Sequence, residues 1–196
     1  MRALESVEGV VLAAGSSARA GAFKPALELG GMPMAVRCIE GMRGVCSRIL
    51  VVGGHEFAQL EGLVAGISGV ECVRNGEYQR GMFTSVKCGL SRVRADRCFV
   101  IPADVPLVPP RVYARLLESP AGVVVPTWSD KRGHPVCCSS AVIPLILRKP
   151  DTSSFRDALV EIGVEVIPVD AEEILIDIDT PEDLERVRRR FFPPED

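Results

Sequence analysis

The sequence predicts an α/β fold built on a doubly wound, mostly parallel sheet. Three observations point there. Short β-branched runs alternate with longer segments of helical period. The runs read as apolar on both faces, as strands covered by helices on each side do. The length of 196 residues, with 47% hydrophobic and 25% charged side chains, suits one globular domain spanning residues 1–196.

In chain order, the first strand is expected over Val7 to Ala13, and a helix over about Pro33 to Gly41, where a proline is tolerated in the first turn. A strand over Arg48 to Val52 then precedes a helix over Glu56 to Ala65, and a strand over Val70 to Arg74 precedes a helix over Met82 to Arg92. Cys98 to Pro102 reads as a strand, Pro110 to Glu118 as a helix and Gly122 to Pro126 as a strand. Thr127 to Ser139 breaks the alternation. It is polar and holds Gly133 and Pro135, so it reads as a small loop or hairpin inserted over the sheet. Helices over Ser140 to Leu147 and Phe155 to Ile162, and strands over Val164 to Val169 and Glu173 to Ile178, follow. The last helix, Pro181 to Phe191, carries Thr180 as N-cap and Asp183 in the capping-box position.

The 23 Lys and Arg against 26 Asp and Glu give a net charge of −3. That balance argues against a nucleic-acid or anionic membrane surface as partner, since either needs a basic face. No run reaches the roughly 18 apolar residues of a membrane helix, and Glu5 and Glu8 near the start do not fit a secretory signal. The seven cysteines (Cys38, Cys46, Cys72, Cys88, Cys98, Cys137, Cys138) lack metal or redox spacing and read as inert thiols in a reducing, cytoplasmic setting. The 18 glycines and 15 prolines exceed average usage and imply shaped loops.

Polar residues suited to chemistry fall just after strand runs: Gly15 to Lys24, Asn75, Asp104 and Asp179. In open α/β sheets, ligands bind outside the carboxyl ends of the strands. The loop Leu12 to Lys24 combines small residues, which admit a ligand close to the backbone, with the cations of Arg19 and Lys24. It suits a phosphate, or it is an ordinary turn with solvated charges. Pro25 after Lys24 rules out a Walker loop, and the three-glycine dinucleotide fingerprint is absent. Asp104, boxed by Pro102 and Pro106, suits a hard cation such as Mg²⁺, or else caps the helix near Pro109. Asp179 is a second metal candidate beside Asp177, against a purely structural role in the helix cap. Trp128, the only tryptophan, either stacks on a ring or packs its loop. His55 reads as structural, and the arginines Arg186, Arg188, Arg189 and Arg190 as a solvated face complementing the helix dipole.

Taken together, Leu12 to Lys24, Asn75 with Gly81-Met82 and Ser85, Pro102-Ala103-Asp104 with Pro106, Arg132-Gly133-His134-Pro135, and Asp177 to Asp183 resemble the molybdenum cofactor cytidylyltransferases and their guanylyltransferase relatives, the MobA-like NTP transferases. The resemblance runs from about Val7 to Leu184, with five motifs in order.

It implies a Rossmann-like nucleotidyltransferase fold and transfer of CMP from CTP to a molybdopterin-type acceptor with release of pyrophosphate. It implies a nucleotide held by Leu12, Ala13, Ala14, Gly15, Ser17, Arg19, Lys24, Asn75, Gly81, Ser85 and Ala103, with Lys24, Arg19 and Asp104 catalytic. It implies Mg²⁺ on Asp104 and Asp179, the acceptor against Gly133, His134 and Pro135, and a transient contact with a molybdoenzyme. Leu-Ala-Ala-Gly is the form typical of the cytidylyl branch. Ala20 and Ala26-Leu27 depart from the bulkier residues usual there, which bears on nucleotide selectivity more than on chemistry. Guanylyl transfer, transfer to a sugar or polyol phosphate, and a non-catalytic nucleotide-binding cofactor chaperone are the competing readings.

Overall fold

A computed structural model of the chain describes residues 5–15 and 23–193. Ser17 and Arg19 therefore lie outside the described residues. The chain opens with β1 (Val7–Ala13). A short 3-10 helix over Lys24–Ala26 leads to an antiparallel hairpin, β2 (Glu28–Leu29) and β3 (Met32–Pro33). There follow α1 (Met34–Met42), β4 (Arg48–Gly53), α2 (Phe57–Val64), β5 (Val70–Arg74), α3 (Met82–Leu90), β6 (Arg97–Pro102) and α4 (Pro110–Leu117). The remainder is β7 (Val123–Trp128), β8 (Lys131–Arg132), β9 (Val136–Ser139), α5 (Ile143–Leu147), α6 (Phe155–Ile162), β10 (Glu165–Pro168) and α7 (Pro181–Phe191).

The main sheet runs β10-β7-β9-β6-β1-β4-β5, with β8 on β7. β1 pairs in parallel with β4 and β6, and β9 alone within that path is antiparallel to both its neighbours. The fold is thus the doubly wound, mostly parallel α/β sheet that the alternating pattern predicts. Strand alternation divides the core. Val11, Ile49, Val51, Phe99 and Ile101 face one layer, with Ile39, Leu60 and Tyr113 from α1, α2 and α4. Val10, Leu50, Val52, Cys98 and Val100 face the other, with Phe83, Ile146 and Leu159 from α3, α5 and α6. Successive strand residues point to opposite faces, so strands apolar throughout demand helices on both sides.

Two expectations need correction. The Thr127 to Ser139 insert does not lie over the sheet: its second half, β9, is a strand inside it, between β6 and β7. Cys137 and Cys138 on β9 are fully buried and pack like small apolar residues, which lets so short a segment fill an interior position. Glu173 to Ile178 is no strand. It turns as a 3-10 helix over Glu172–Leu175, because Ile174 and Ile178 are buried by packing into two different clusters rather than by alternation in a ladder. The capping box of α7 is present, with Thr180 Oγ1 accepting from the Asp183 N–H at 3.2 Å and Asp183 Oδ2 accepting from the Thr180 N–H at 3.0 Å.

Candidate active site

The carboxyl ends of β1 and β6 are joined beyond their ladder, the Ala103 N–H donating to the Leu12 carbonyl at 3.0 Å. This keeps the two strand ends together where each leads into its loop, Ala14 and Gly15 following β1 and Asp104 following β6. The Ile178 N–H donates to the Asp104 carbonyl at 2.9 Å and brings the segment before α7 to the same place. Lys24 arrives on the 3-10 helix, where Pro25 is buried. Its Nζ donates to Asp104 Oδ2 at 3.1 Å and to Asp179 Oδ1 at 2.7 Å. Burial pulls the Lys24 ammonium down, yet the Asp179 hydrogen bond and the Asp104 charge outweigh it and hold the group above its ordinary value. Lys24 therefore stays a cation.

The donor set also suits a hard divalent cation, which takes one or two carboxylates and completes its shell with water and phosphate oxygens. One cation, the ammonium, already reaches both carboxylates. Among the described residues no cluster of three or more His, Cys, Asp and Glu could hold a metal alone. Asp104 does not cap α4, whose N-cap is Pro109.

Facing this group is the loop into β9. The Gly133 N–H donates to the Pro126 carbonyl at 2.9 Å and the His134 N–H to the Ile174 carbonyl at 3.0 Å. A Cβ at position 133 would lie 2.4 Å from the Ile174 oxygen, so only glycine fits. The His134–Pro135 peptide is cis. His134 Nδ1 is buried and has no hydrogen-bond partner among the described residues. Burial pushes the imidazole pKa down, opposed by the Asp104 charge, so His134 is neutral near pH 7.

Asn75, just past β5, is buried; its Nδ2 donates to Thr84 Oγ1 and Ser85 Oγ, both at 2.9 Å, and its Oδ1 accepts from the Glu77 N–H. Thr84 Oγ1 in turn donates to the Gly81 carbonyl at 2.8 Å. This network fixes the turn at Gly81, whose φ of 115° favours glycine and whose Cα faces open space. Gly81 and His134 both line an open cleft of about 960 Å³.

Residues 9–165 match the sequence profile of the MobA-like NTP transferase domain. The chain belongs to this family. It is 26% identical over 189 residues to the molybdenum cofactor cytidylyltransferase of Escherichia coli strain K12, covering 96% of this chain and 98% of the relative. It is 27% identical over 203 residues to a probable molybdenum cofactor guanylyltransferase of Natronomonas pharaonis, covering 93% and 97%. Among solved structures, Rv0371c of Mycobacterium tuberculosis H37Rv shares the fold with a TM-score of 0.79 at 24% identity, covering 93% of this chain and 97% of that one. A second structure of that protein is a complex with manganese, at a TM-score of 0.75 and 22% identity over 93% and 97% of the chains.

In this MobA-like NTP transferase the sequence-predicted residues fall into three groups. Lys24, Asp104 and Asp179 meet directly, and Asp179 rather than Asp177 reaches the lysine. Leu12, Ala13, Ala14 and Ala103 are buried backbone neighbours of that group, with Gly15 exposed at its edge. Asn75 and Ser85 spend their side chains on each other, while Gly81 opens onto the cleft with His134.

Trp128 ends β7 and packs against the core. His55 lies 3.5 Å from Glu56 and beside the Tyr78 ring. The arginines of α7 are tied down, Arg188 to the Glu28 carbonyl at 2.7 Å and Arg190 to Glu172. Burial pushes the Cys137 thiol up to about 11 and the Cys46 thiol to about 12, which keeps both unreactive. Sequence reasoning missed the far wall of the cleft, formed by Asp151, Phe155 and Leu159 with Arg80. Its available signals were the arginine directly before Gly81 and the polar run Asp151 to Ser154 before α6.

Proposed function

We propose that this nucleotidyltransferase moves CMP from CTP to a molybdopterin-type molybdenum cofactor, releasing pyrophosphate, as one cytoplasmic domain over residues 1–196. The observation that carries the reading is Lys24 held between Asp104 and Asp179 where β1 and β6 leave the sheet. The names of the Escherichia coli and Natronomonas relatives support the acceptor class, and the Leu12-Ala13-Ala14-Gly15 form supports CTP over GTP.

In this reading the backbone from Leu12 to Gly15 lets the triphosphate approach closely. An acceptor phosphate oxygen attacks the α-phosphorus in line, the bond to the bridging oxygen breaks, and pyrophosphate departs with that electron pair. Lys24 neutralises the departing group together with Arg19, whose part rests on the sequence motif alone. Asp104 and Asp179 would hold Mg²⁺, which supplies charge neutralisation at the transferring phosphate. The manganese complex of Rv0371c supports a divalent ion here. Gly133 and Pro135 hold His134 toward the acceptor, and its neutral imidazole accepts or donates one hydrogen bond without adding charge. Asn75, Ser85 and Gly81 frame the boundary between nucleotide and acceptor. Positioning and electrostatics suffice for such transfers, so no covalent nucleophile is required.

A thermal-shift panel of CTP, GTP, ATP and UTP with Mg²⁺ tests it, because a specific ligand raises the melting temperature by mass action. CTP is expected to give the largest shift. A larger GTP shift would replace cytidylyl by guanylyl transfer, and nucleotide binding without pyrophosphate production across acceptors would leave a chaperone.

A further inference from the structure

The cleft holds an ion pair with no evident part in nucleotide or metal chemistry. Arg80 donates through Nη1 to Glu77 Oε2 at 2.9 Å and pairs through Nη2 with Asp151 Oδ2 at 3.0 Å. Asp151 is anchored independently: Lys87 Nζ reaches its Oδ1 at 2.7 Å and the Lys149 carbonyl at 2.9 Å. The Lys87 hydrogen bond holds the Asp151 carboxyl below the usual carboxylate range. Asp151 is thus a fixed anion that keeps a partner if Arg80 leaves. Arg80 is the exchangeable member, with its side chain 58% exposed.

The surroundings say what would replace Asp151. Phe83, Val125, Val136, Phe155 and Leu159 give the cleft an apolar lining. Met82 and Val160, two of the three large hydrophobic residues the described surface exposes, line it as well at 64% and 59% exposure. Exposed apolar groups gathered in a concave site mark a ligand surface rather than chance. The charged lining residues are Arg80, Lys131, Arg132 and Arg156 against Asp130 and Asp151, and Asp151 is already engaged by Lys87. Positive charge is therefore in excess over an apolar floor. The volume of about 960 Å³ suits a ligand of several fused rings.

We propose that Arg80 is the anion-binding residue of this cleft and Asp151 its internal surrogate, so that the cleft takes a planar, apolar-faced organic anion whose acidic group displaces Asp151 from Arg80. Resting on the function proposed above, that anion is the acceptor of the transfer, held at Arg80 by an acidic group other than the phosphate that attacks. His134 lines the same cleft and lies in the field of Asp104, linking its occupant to the site of chemistry.

The test uses the full chain and 8-anilinonaphthalene-1-sulfonate, a dye with flat apolar rings and one anionic group, titrated by fluorescence. Arg80→Gln is expected to weaken the dye about five- to ten-fold, the scale of one charge-assisted hydrogen bond. Met82→Ser is expected to weaken it without any change of charge. Asp151→Asn is expected to tighten it about three-fold, since exposed ion pairs are weak competitors. The double variant should bind like Arg80→Gln alone, because the surrogate matters only while Arg80 is present.

An equal gain from Asp151→Asn with and without Arg80 would reveal a net-charge effect and overturn the proposal, as would no response to Arg80→Gln or Met82→Ser. In turnover, Arg80→Gln should raise KM for the acceptor and leave KM for the nucleotide unchanged; a rise for the nucleotide instead would also overturn it. A wild-type chain without turnover would defeat the transfer reading while the dye cycle still decides the role of Arg80.

Discussion

At the amino end of the central strands, Glu8 of β1 stands opposite Arg48 of β4 in the ladder register. Glu8 is buried, accepts from Arg48 at 3.2 Å and from the Arg94 N–H at 2.9 Å, and Arg48 goes on to Glu71 at 2.6 Å. At the carboxyl end, Lys24, Asp104 and Asp179 come together across 80 and 155 positions of sequence. The first cluster follows from strand pairing, which forces these neighbours together and satisfies them with fixed partners. The second is assembled by loops and, among the described residues, leaves carboxylate oxygens for further donors, with Asp179 51% exposed. A charge cluster that the ladder dictates serves the fold, whereas one that the ladder does not require invites a ligand.

Substitutions at the two ends should therefore separate activity from stability. The largest effect is expected of Lys24→Met, which should lower kcat by about 10²- to 10³-fold, the scale for removing one positioned cation or donor, while the melting temperature stays near wild type. Pyrophosphate release read beside a thermal melt checks both. Glu8→Gln should do the reverse, costing about 2 kcal/mol because the partly buried Arg48 loses its buried carboxylate partner, with unchanged turnover of the folded protein; a urea titration measures it. Should Glu8→Gln lose activity at full stability, the division between the ends fails.

Gly133→Ala should move both quantities, since its Cβ would meet the Ile174 oxygen at 2.4 Å. The expected cost is about 1–3 kcal/mol together with a raised KM for the acceptor. The smallest effect, about 1 kcal/mol, is expected of Thr180→Ala. Here pH offers a second reading. The Thr180 hydrogen bond, and then Arg186, pull the Asp183 carboxyl from 3.8 down to about 2. A depressed carboxyl contributes stability that is present above 3.8 and lost as pH falls toward 2. Urea midpoints taken across that window should fall less steeply in Thr180→Ala than in wild type.

Much of this was legible in the sequence. β1, β5, α6 and α7 span the predicted Val7–Ala13, Val70–Arg74, Phe155–Ile162 and Pro181–Phe191, because each pairs a strong periodic or β-branched pattern with a local stop or cap. β9 was not legible, since four residues carry too little period and their place between two parallel strands is a tertiary fact. The Glu173 to Ile178 run misled for the opposite reason: its isoleucines alternate as in a strand but pack into separate clusters. At the site, Lys24 and Asp104 were visible as polar residues after strand ends, whereas Asp179 was picked out behind an expected strand that is a 3-10 turn. The cleft wall was hidden, because Phe155 and Leu159 occupy ordinary core-facing positions of an amphipathic helix and Arg80 resembles any solvated arginine.

Asp104 bears most directly on the proposed chemistry. With Mg²⁺, CTP and a molybdopterin-type acceptor, wild-type protein should release pyrophosphate, and Asp104→Asn should lose at least about 10²-fold of that rate at a comparable melting temperature. Undiminished release by a folded Asp104→Asn protein would remove Asp104, and the metal assigned to it, from the reaction.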